Sequence, residues 1–181
     1  MNHPAQPSHF DVIVIGAGAA GMMCAAEAGQ RGRRVLIIDH AEKLAEKIRI
    51  SGGGRCNFTN LEVGIANYLS RNPQFCRSAL SRFTPAHFIE RVNRHGIRWH
   101  EREHGQLFCD DSAQDIIDML RSGCDSGQVS WAMPCTLETV GTGTGADARF
   151  ILDTSHGRFS CESLVVATGG LSIPKIGASP L

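Results

Sequence analysis

The chain has 181 residues, enough for one domain with a small insertion and a sizeable core. Lysine plus arginine equal aspartate plus glutamate at 18 each, a balance that gives no sign of a nucleic-acid or acidic-surface partner. The seven cysteines are scattered with no C-x-x-C pair, so the expectation is reduced thiols in a cytoplasmic protein.

Residues 1–9 read as a disordered tail. Val12 to Ala26 is an unbroken apolar and glycine run, too short to span a bilayer and read as interior. Within it "DVIVIG" is a β-branched apolar strand, and "AAGMMCAAEAGQ" from Ala19 to Gln30 is a helix. "RGRR" then turns the chain into a second apolar strand, Val35 to Ile38, that ends at Asp39. The result is a βαβ unit.

Gly16, Gly18 and Gly21 form G-x-G-x-x-G between that first strand and helix. Gly16 permits the tight turn, Gly18 lets the backbone approach a pyrophosphate, and Gly21 lets helix and strand pack closely. The helix start offers free N–H groups and a partial positive charge to the same anion. Asp39 lies about twenty residues beyond Gly18, where a carboxylate accepts hydrogen bonds from an adenosine ribose. An acidic residue there fits NAD or FAD and disfavours NADP.

Next comes "RISGGGRCNFTN", Arg49 to Asn60. Backbone N–H groups of Ser51, Gly52, Gly53 and Gly54 suit flavin or ribityl oxygens, with no Cβ in the way. Arg49 or Arg55 would favour an anion. The alternative is a surface loop with solvated arginines. Cys56 follows the glycines; with no adjacent partner in sequence, a small buried thiol is preferred to a redox one.

Residues 61–125 read as a helical and hairpin insertion. Pro85 to Asn93 and Asp111 to Arg121 have helical spacing, and a hairpin turns at His104-Gly105. His100-Glu-Arg-Glu-His104 matches H-E-x-x-H, but flanking glycines and the lack of a third ligand favour a charged hairpin over zinc. "VSWAMP" then resembles a further strand of the main sheet. Three alternating runs make a β-meander, and an apolar strand from Leu164 to Ala167 ends in "TGG". The meander and that second glycine turn favour FAD over NAD. The last segment, with Lys175, reads as a solvated loop.

The fingerprint, "KIRISGGGRCNFTN", "GQLFCDDSAQDIIDML" and "VVATGGLSIPKIGASP", in that order, resemble the N-terminal part of the YhiN/HI0933-type flavoproteins, from about Phe10 to the last residue. The resemblance implies an α/β fold: a three-layer, Rossmann-like FAD/NAD(P)-binding domain of the glutathione-reductase type, built from residues 10–60 and 126–181. It implies an FAD site at Gly16, Gly18, Ala19, Ala20, Gly21, Asp39, His40, Lys47, Ser51, Gly52, Gly53, Gly54, Arg55, Cys56 and Asn57. Thr168 and Gly169 add the later turn, and a backbone contact near Cys135 faces the adenine. Family members continue into a substrate domain and a last FAD-binding segment, so the chain reads as truncated, with a sheet edge open to self-association.

The function that follows is an FAD-dependent oxidoreductase, here its FAD-binding part, with NAD(P)H as candidate electron donor and an unknown small-molecule substrate. No metal, membrane or nucleic-acid partner and no catalytic acid or base is assigned. The alternatives are a catalytically inactive flavin-binding remnant and an NAD-dependent dehydrogenase fragment.

Overall fold

The computed structural model describes residues 8–145 and 148–170. They fall into two compact units, one running up to Lys47 and resuming at Leu120, the other Ile48–Met119. The division comes earlier than the boundary after Asn60 suggested by sequence, so the triple-glycine turn belongs to the second unit.

The first unit is a six-stranded sheet. The βαβ unit forms where its residues place it: β1 (Ser8–Ile15), α1 (Ala19–Gln30) and β2 (Val35–Ile38), with β1 and β2 parallel in the register Val12↔Val35 to Ile15↔Ile38. All four β2 residues are buried, as the run of branched apolar side chains requires. After α5 (Ala113–Ser126), β6 (Ser130–Ala132) pairs parallel with β2. β7 (Leu137–Gly145), β8 (Ala148–Thr154) and β9 (Gly157–Val166) complete the strand order β6-β2-β1-β9-β8-β7.

Two expectations are corrected here. The third meander run and the apolar strand are one continuous strand, β9, antiparallel to β8 and parallel to β1. No glycine or proline interrupts Cys161 to Val165, and pairing on both sides carries the strand through the polar Glu162 and Ser163. Ser8 and His9, read as tail from the sequence, are strand, paired with Phe159 and Ser160 of β9. His9 Nδ1 lies 3.2 Å from Ser160 Oγ.

Alternation fixes the two faces. Ile13, Ile15, Leu36 and Ile38 share one face with Leu152 and Cys161, flanked by Phe10, Phe150, Phe159 and Leu164. The opposite face meets α1, whose Met22, Ala25 and Ala26 are buried. The α5 end packs on α1: the Cys124 thiol donates to the Met22 carbonyl at 3.3 Å. A Cβ on Gly29 would stand 2.3 Å from the Gly127 carbonyl oxygen, so glycine sets how closely those segments approach.

The second unit contains α2 (Glu46–Ile50) at its entry, the glycine turn, and a small antiparallel sheet of β3 (Asn57–Asn60), β4 (Trp99–Glu101) and β5 (Gln106–Cys109), in the order β3-β5-β4. β4 and β5 are the expected hairpin. β3 was not foreseen as their partner, because "NFTN" is too polar and short to announce a strand. α3 (Arg77–Arg82) and α4 (Pro85–Arg94) lie between. Thr84 caps α4, accepting from the His87 amide at 3.4 Å, with proline at the first helical position. Phe58 meets Phe88 and Trp99 at centroid distances of 6.0 and 6.4 Å, tying α4 and β4 to β3.

Candidate functional site

In the first unit the glycine turn follows β1 directly. Gly16 has φ +110°, and a Cβ there would stand 2.5 Å from the Ala167 carbonyl oxygen. Its amide donates to the Ile38 carbonyl at 2.8 Å, and the Ala167 amide donates to Ile15 at 2.8 Å. The turn is thus wedged between the C-terminal ends of β2 and β9. A Cβ on Gly21 would lie 1.9 Å from the Gly16 carbonyl oxygen, so the first turn of α1 rests on the loop itself. Gly18 differs: it is extended, with φ −84° and ψ −174°, and nothing lies within 4 Å of where its Cβ would be. Ala19 and Ala20 are exposed beside it. Gly18 has no side chain to cap α1, so the amides at the helix start face that open space without one.

Asp39 holds this turn together. Its Oδ2 accepts from the Ala17 amide at 2.6 Å and its Oδ1 from the Ala41 amide at 2.9 Å. His40, largely exposed, places Nδ1 3.5 Å from Oδ1. An ionised carboxylate offers about four lone-pair positions, so acceptor capacity is left for a ribose hydroxyl. Sequence reasoning assigned Asp39 to the ribose alone and missed its bracing of the turn; no local signal marks the Ala17 amide. Cys135 donates its amide to the Asp39 carbonyl at 2.7 Å. Lys47 donates to the Gly170 carbonyl, and a Cβ on Gly169 (φ +75°) would be 3.4 Å from Lys47 Nζ. The structure therefore gathers Gly16, Gly18, Gly21, Asp39, His40 and Cys135 around one turn. Lys47 meets the Thr168–Gly169 turn that follows β9.

In the second unit Ser51–Gly54 form a short 3-10 turn with left-handed residues inside it: Gly52 (φ 58°, ψ 28°) and Gly53 (φ 67°, ψ 34°). Gly54 follows at φ 87°. A step from right-handed to left-handed backbone turns successive N–H groups to one side, the geometry of an anion nest. The turn has a wall that sequence did not reveal: a Cβ on Gly52 would be 2.6 Å from the Phe108 ring. The Arg49 guanidinium donates to Gln114 Oε1 at 2.6 Å, which fixes it within the unit, whereas Arg55 is exposed.

Cys56 is buried and left-handed (φ 50°), while Asn57 beside it is exposed. Cys56 does have a cysteine neighbour: Asn57 pairs with Phe108, and the Cys109 amide donates to the Arg55 carbonyl at 2.9 Å. Burial pushes the Cys56 thiol pKa up, partly offset by a hydrogen bond with Ser51. Cys109 is pushed up to about 12, by burial first and then by Cys56, Asp115 and Asp110. Both thiols stay protonated at neutral pH, unlike the low-pKa cysteines of redox sites.

The H-E-x-x-H segment is not an α-helix: it runs from strand into a 3-10 turn. His100 sits on β4, with Nδ1 2.7 Å from Asp110, and accepts from Arg102 at 3.2 Å; His104 is a left-handed turn residue. Among the described residues, His9, Asp11 and Glu162 bring possible ligand atoms within 4.8 Å. Asp11 there accepts the Arg34 amide at 2.8 Å, a structural role at the start of β1. Lys175 lies outside the described residues. Among the described residues, no helix is long and apolar enough to cross a membrane.

Residues 10–181 match the HI0933-like protein Rossmann domain. The chain belongs to the HI0933-like family. It is 57% identical over 171 residues to "Ribosomal RNA dihydrouridine synthase" of Escherichia coli (strain K12), covering 94% of this chain and 42% of that protein. It is 24% identical over 168 residues to "3-dehydro-bile acid delta(4,6)-reductase" of Clostridium scindens, covering 91% of this chain and 40% of the other. Among solved structures, the 3-ketosteroid-delta4-(5alpha)-dehydrogenase of Rhodococcus jostii RHA1 shares the fold at TM-score 0.65 and 12% identity, over 94% of this chain and 47% of that one. The HI0933-like chain spans less than half the length of the curated relatives it matches. Its fold is the Rossmann-like fold of that family.

Proposed function

We propose that this chain is the FAD-holding part of a reductase that saturates a carbon–carbon double bond conjugated to a carbonyl, with a uracil base in RNA as the substrate. The observation that carries the flavin is the Gly16–Gly21 turn. It has open space at Gly18, and both neighbouring glycines are shut against backbone. The residues present fit the group. Gly18, Ala19 and Ala20 would hold the pyrophosphate at the start of α1, Asp39 the ribose and the Cys135 carbonyl the adenine. Lys47 and the turn at Thr168–Gly169 would line the path beyond. In the second unit, the amides of Ser51–Gly54 make a nest of the kind that takes flavin or ribityl oxygens.

When bound, FAD supplies a two-electron carrier, recharged by NAD(P)H. Dihydrouridine is uridine with its C5–C6 bond saturated, and that bond is conjugated to the C4 carbonyl. A 3-dehydro bile acid reduced at Δ4,6 likewise presents double bonds conjugated to its ketone. Both relatives' names therefore describe one reaction class: hydride to the carbon remote from the carbonyl and a proton to the carbon adjacent to it. The 57% identity to the first favours uracil over a steroid. A cytoplasmic location and a capacity for self-association along an open sheet edge belong to the same reading.

The test is in two stages. The purified chain is mixed with FAD, desalted, and its visible spectrum recorded; retained flavin bands are expected. The chain joined to the remaining length found in its relatives is then given NADPH or NADH and a uridine-containing ribosomal RNA transcript, and dihydrouridine is counted by mass. A colourless chain under both conditions ends the flavin reading. Flavin reduction without a gain of two mass units in the RNA ends the uracil reading.

A further inference from the structure

The whole-chain charge balance conceals a local imbalance. From Val63 to Ile89 there is no aspartate or glutamate, whereas Arg71, Arg77 and Arg82 all lie there. All three arginines are exposed, and none is in an ion pair among the described residues. The same stretch displays large apolar side chains: Leu69 is 97% exposed, Phe75 84%, Tyr68 47% and Phe83 43%. Such exposure in a single segment is beyond ordinary surface scatter.

Arginines and rings are arranged around one short helix. Phe75 stands two residues before α3 and Phe83 immediately after it, while Arg77 and Arg82 are the first and last residues of the helix. Arg77 and Arg82 stand at the two ends of the helix and Arg71 precedes it, so cations are spread along the whole exposed segment. Phe83 is also held in place. It packs edge-on against Phe88 at 6.3 Å and tilted against His87 at 6.0 Å, and Phe88 rests on Phe58. A ring buttressed on one side and open on the other is a stacking platform, and unneutralised arginines beside it suit a phosphate backbone.

We propose that the exposed, acid-free segment from Tyr68 to Phe83 binds single-stranded RNA, stacking bases on its rings and pairing phosphates with Arg71, Arg77 and Arg82. This rests on the uracil reading and adds to it a second contact on the RNA, away from the base that is reduced. Single-stranded segments are the natural ligand because their bases are free to stack, which duplex bases are not.

The test uses the whole chain with FAD added, and fluorescence anisotropy with a labelled twelve-nucleotide uridine-rich RNA, single-stranded or annealed to its complement. The single strand is expected to bind more tightly and to weaken as salt rises from 50 to 200 mM. Arg77→Glu with Arg82→Glu should weaken it at least about tenfold and flatten the salt slope by roughly 0.7 for each phosphate left without its arginine. Phe83→Ser and Phe75→Ser should each weaken it by about tenfold with an unchanged slope. All these side chains are exposed, and unchanged melting and flavin retention would show that the variants fold. No binding at 50 mM salt, or variants that bind like the parent, overturns the proposal. So does equal affinity for the duplex, or a concentration-dependent dimer that Phe75→Ser abolishes. Flavin retained without RNA binding sinks this surface alone. RNA bound by a chain that never retains flavin sinks the flavin reading and leaves the surface standing.

Discussion

The molecule has two glycine-rich turns, and they need glycine for different reasons. In the first, Gly16 and Gly21 are pressed against backbone atoms, at 2.5 and 1.9 Å from where a Cβ would be. Gly21 has no left-handed torsion to excuse it; space alone decides. In the second, Gly53 has nothing within 4 Å of a Cβ, yet φ is 67°. There torsion alone decides. Gly16 (φ +110°) and Gly52 are under both constraints, the latter left-handed and 2.6 Å from the Phe108 ring. Close packing on backbone is therefore what Gly16 and Gly21 share in the first turn, and left-handed winding what Gly52 and Gly53 share in the second.

Substitutions can break that contrast. Gly21→Ala is expected to cost most. Helix propensity favours alanine by about 1 kcal/mol, but the obstacle is a carbonyl oxygen, which cannot swing aside. Overpacking against backbone should outweigh that gain and leave a net loss of about 3 kcal/mol, a fall in Tm of roughly 6–12 °C. A Tm within 2 °C of the parent would show that α1 slides off the turn freely. Gly52→Ala should cost about 2 kcal/mol, from the left-handed penalty and the ring contact together. Adding Phe108→Leu should recover part of it; a double-mutant cycle with no coupling would mean the ring is not the obstacle. Gly53→Ala should cost about 1 kcal/mol with no help from Phe108→Leu, and Gly53→Asn less, since asparagine tolerates that torsion. Equal losses for Gly52 and Gly53 would erase the distinction.

The same contrast explains what was legible beforehand. β1, α1 and β2 were readable to within a few residues because apolar runs, the glycine spacing and Asp39 are all local signals. The N-terminal extension of β1 through Ser8 was not, because it exists only where β9 offers Phe159 and Ser160 as partners. β9 itself was split in two because its polar Ser160, Glu162 and Ser163 interrupt the alternation, while its pairing with β1 and β8 overrides them. In the second turn the glycines were visible but their cause was not. Phe108 lies 56 residues beyond Gly52, and Cys109 meets Cys56 only through the β3–β5 pairing. Asp39 is the intermediate case: its type and position were readable, its bond to the Ala17 amide was not.

Gly18 gives the smallest expected change in stability and the sharpest test of the first turn. It caps α1 without a side-chain hydrogen bond, in an extended conformation that any residue adopts, with open space beside it. Aspartate there would accept from an amide in the first turn of α1 and complement the helix dipole, a gain of about 0.5–1 kcal/mol, or roughly 1–4 °C in Tm. The same carboxylate would fill the approach to those amides and repel a pyrophosphate. Gly18→Asp is therefore expected to melt slightly higher than the parent and to leave the desalting column colourless after incubation with FAD. Greater stability with loss of flavin would show that glycine serves the ligand here, not the fold. Flavin retained by the aspartate variant would mean that the pyrophosphate does not sit at the start of α1.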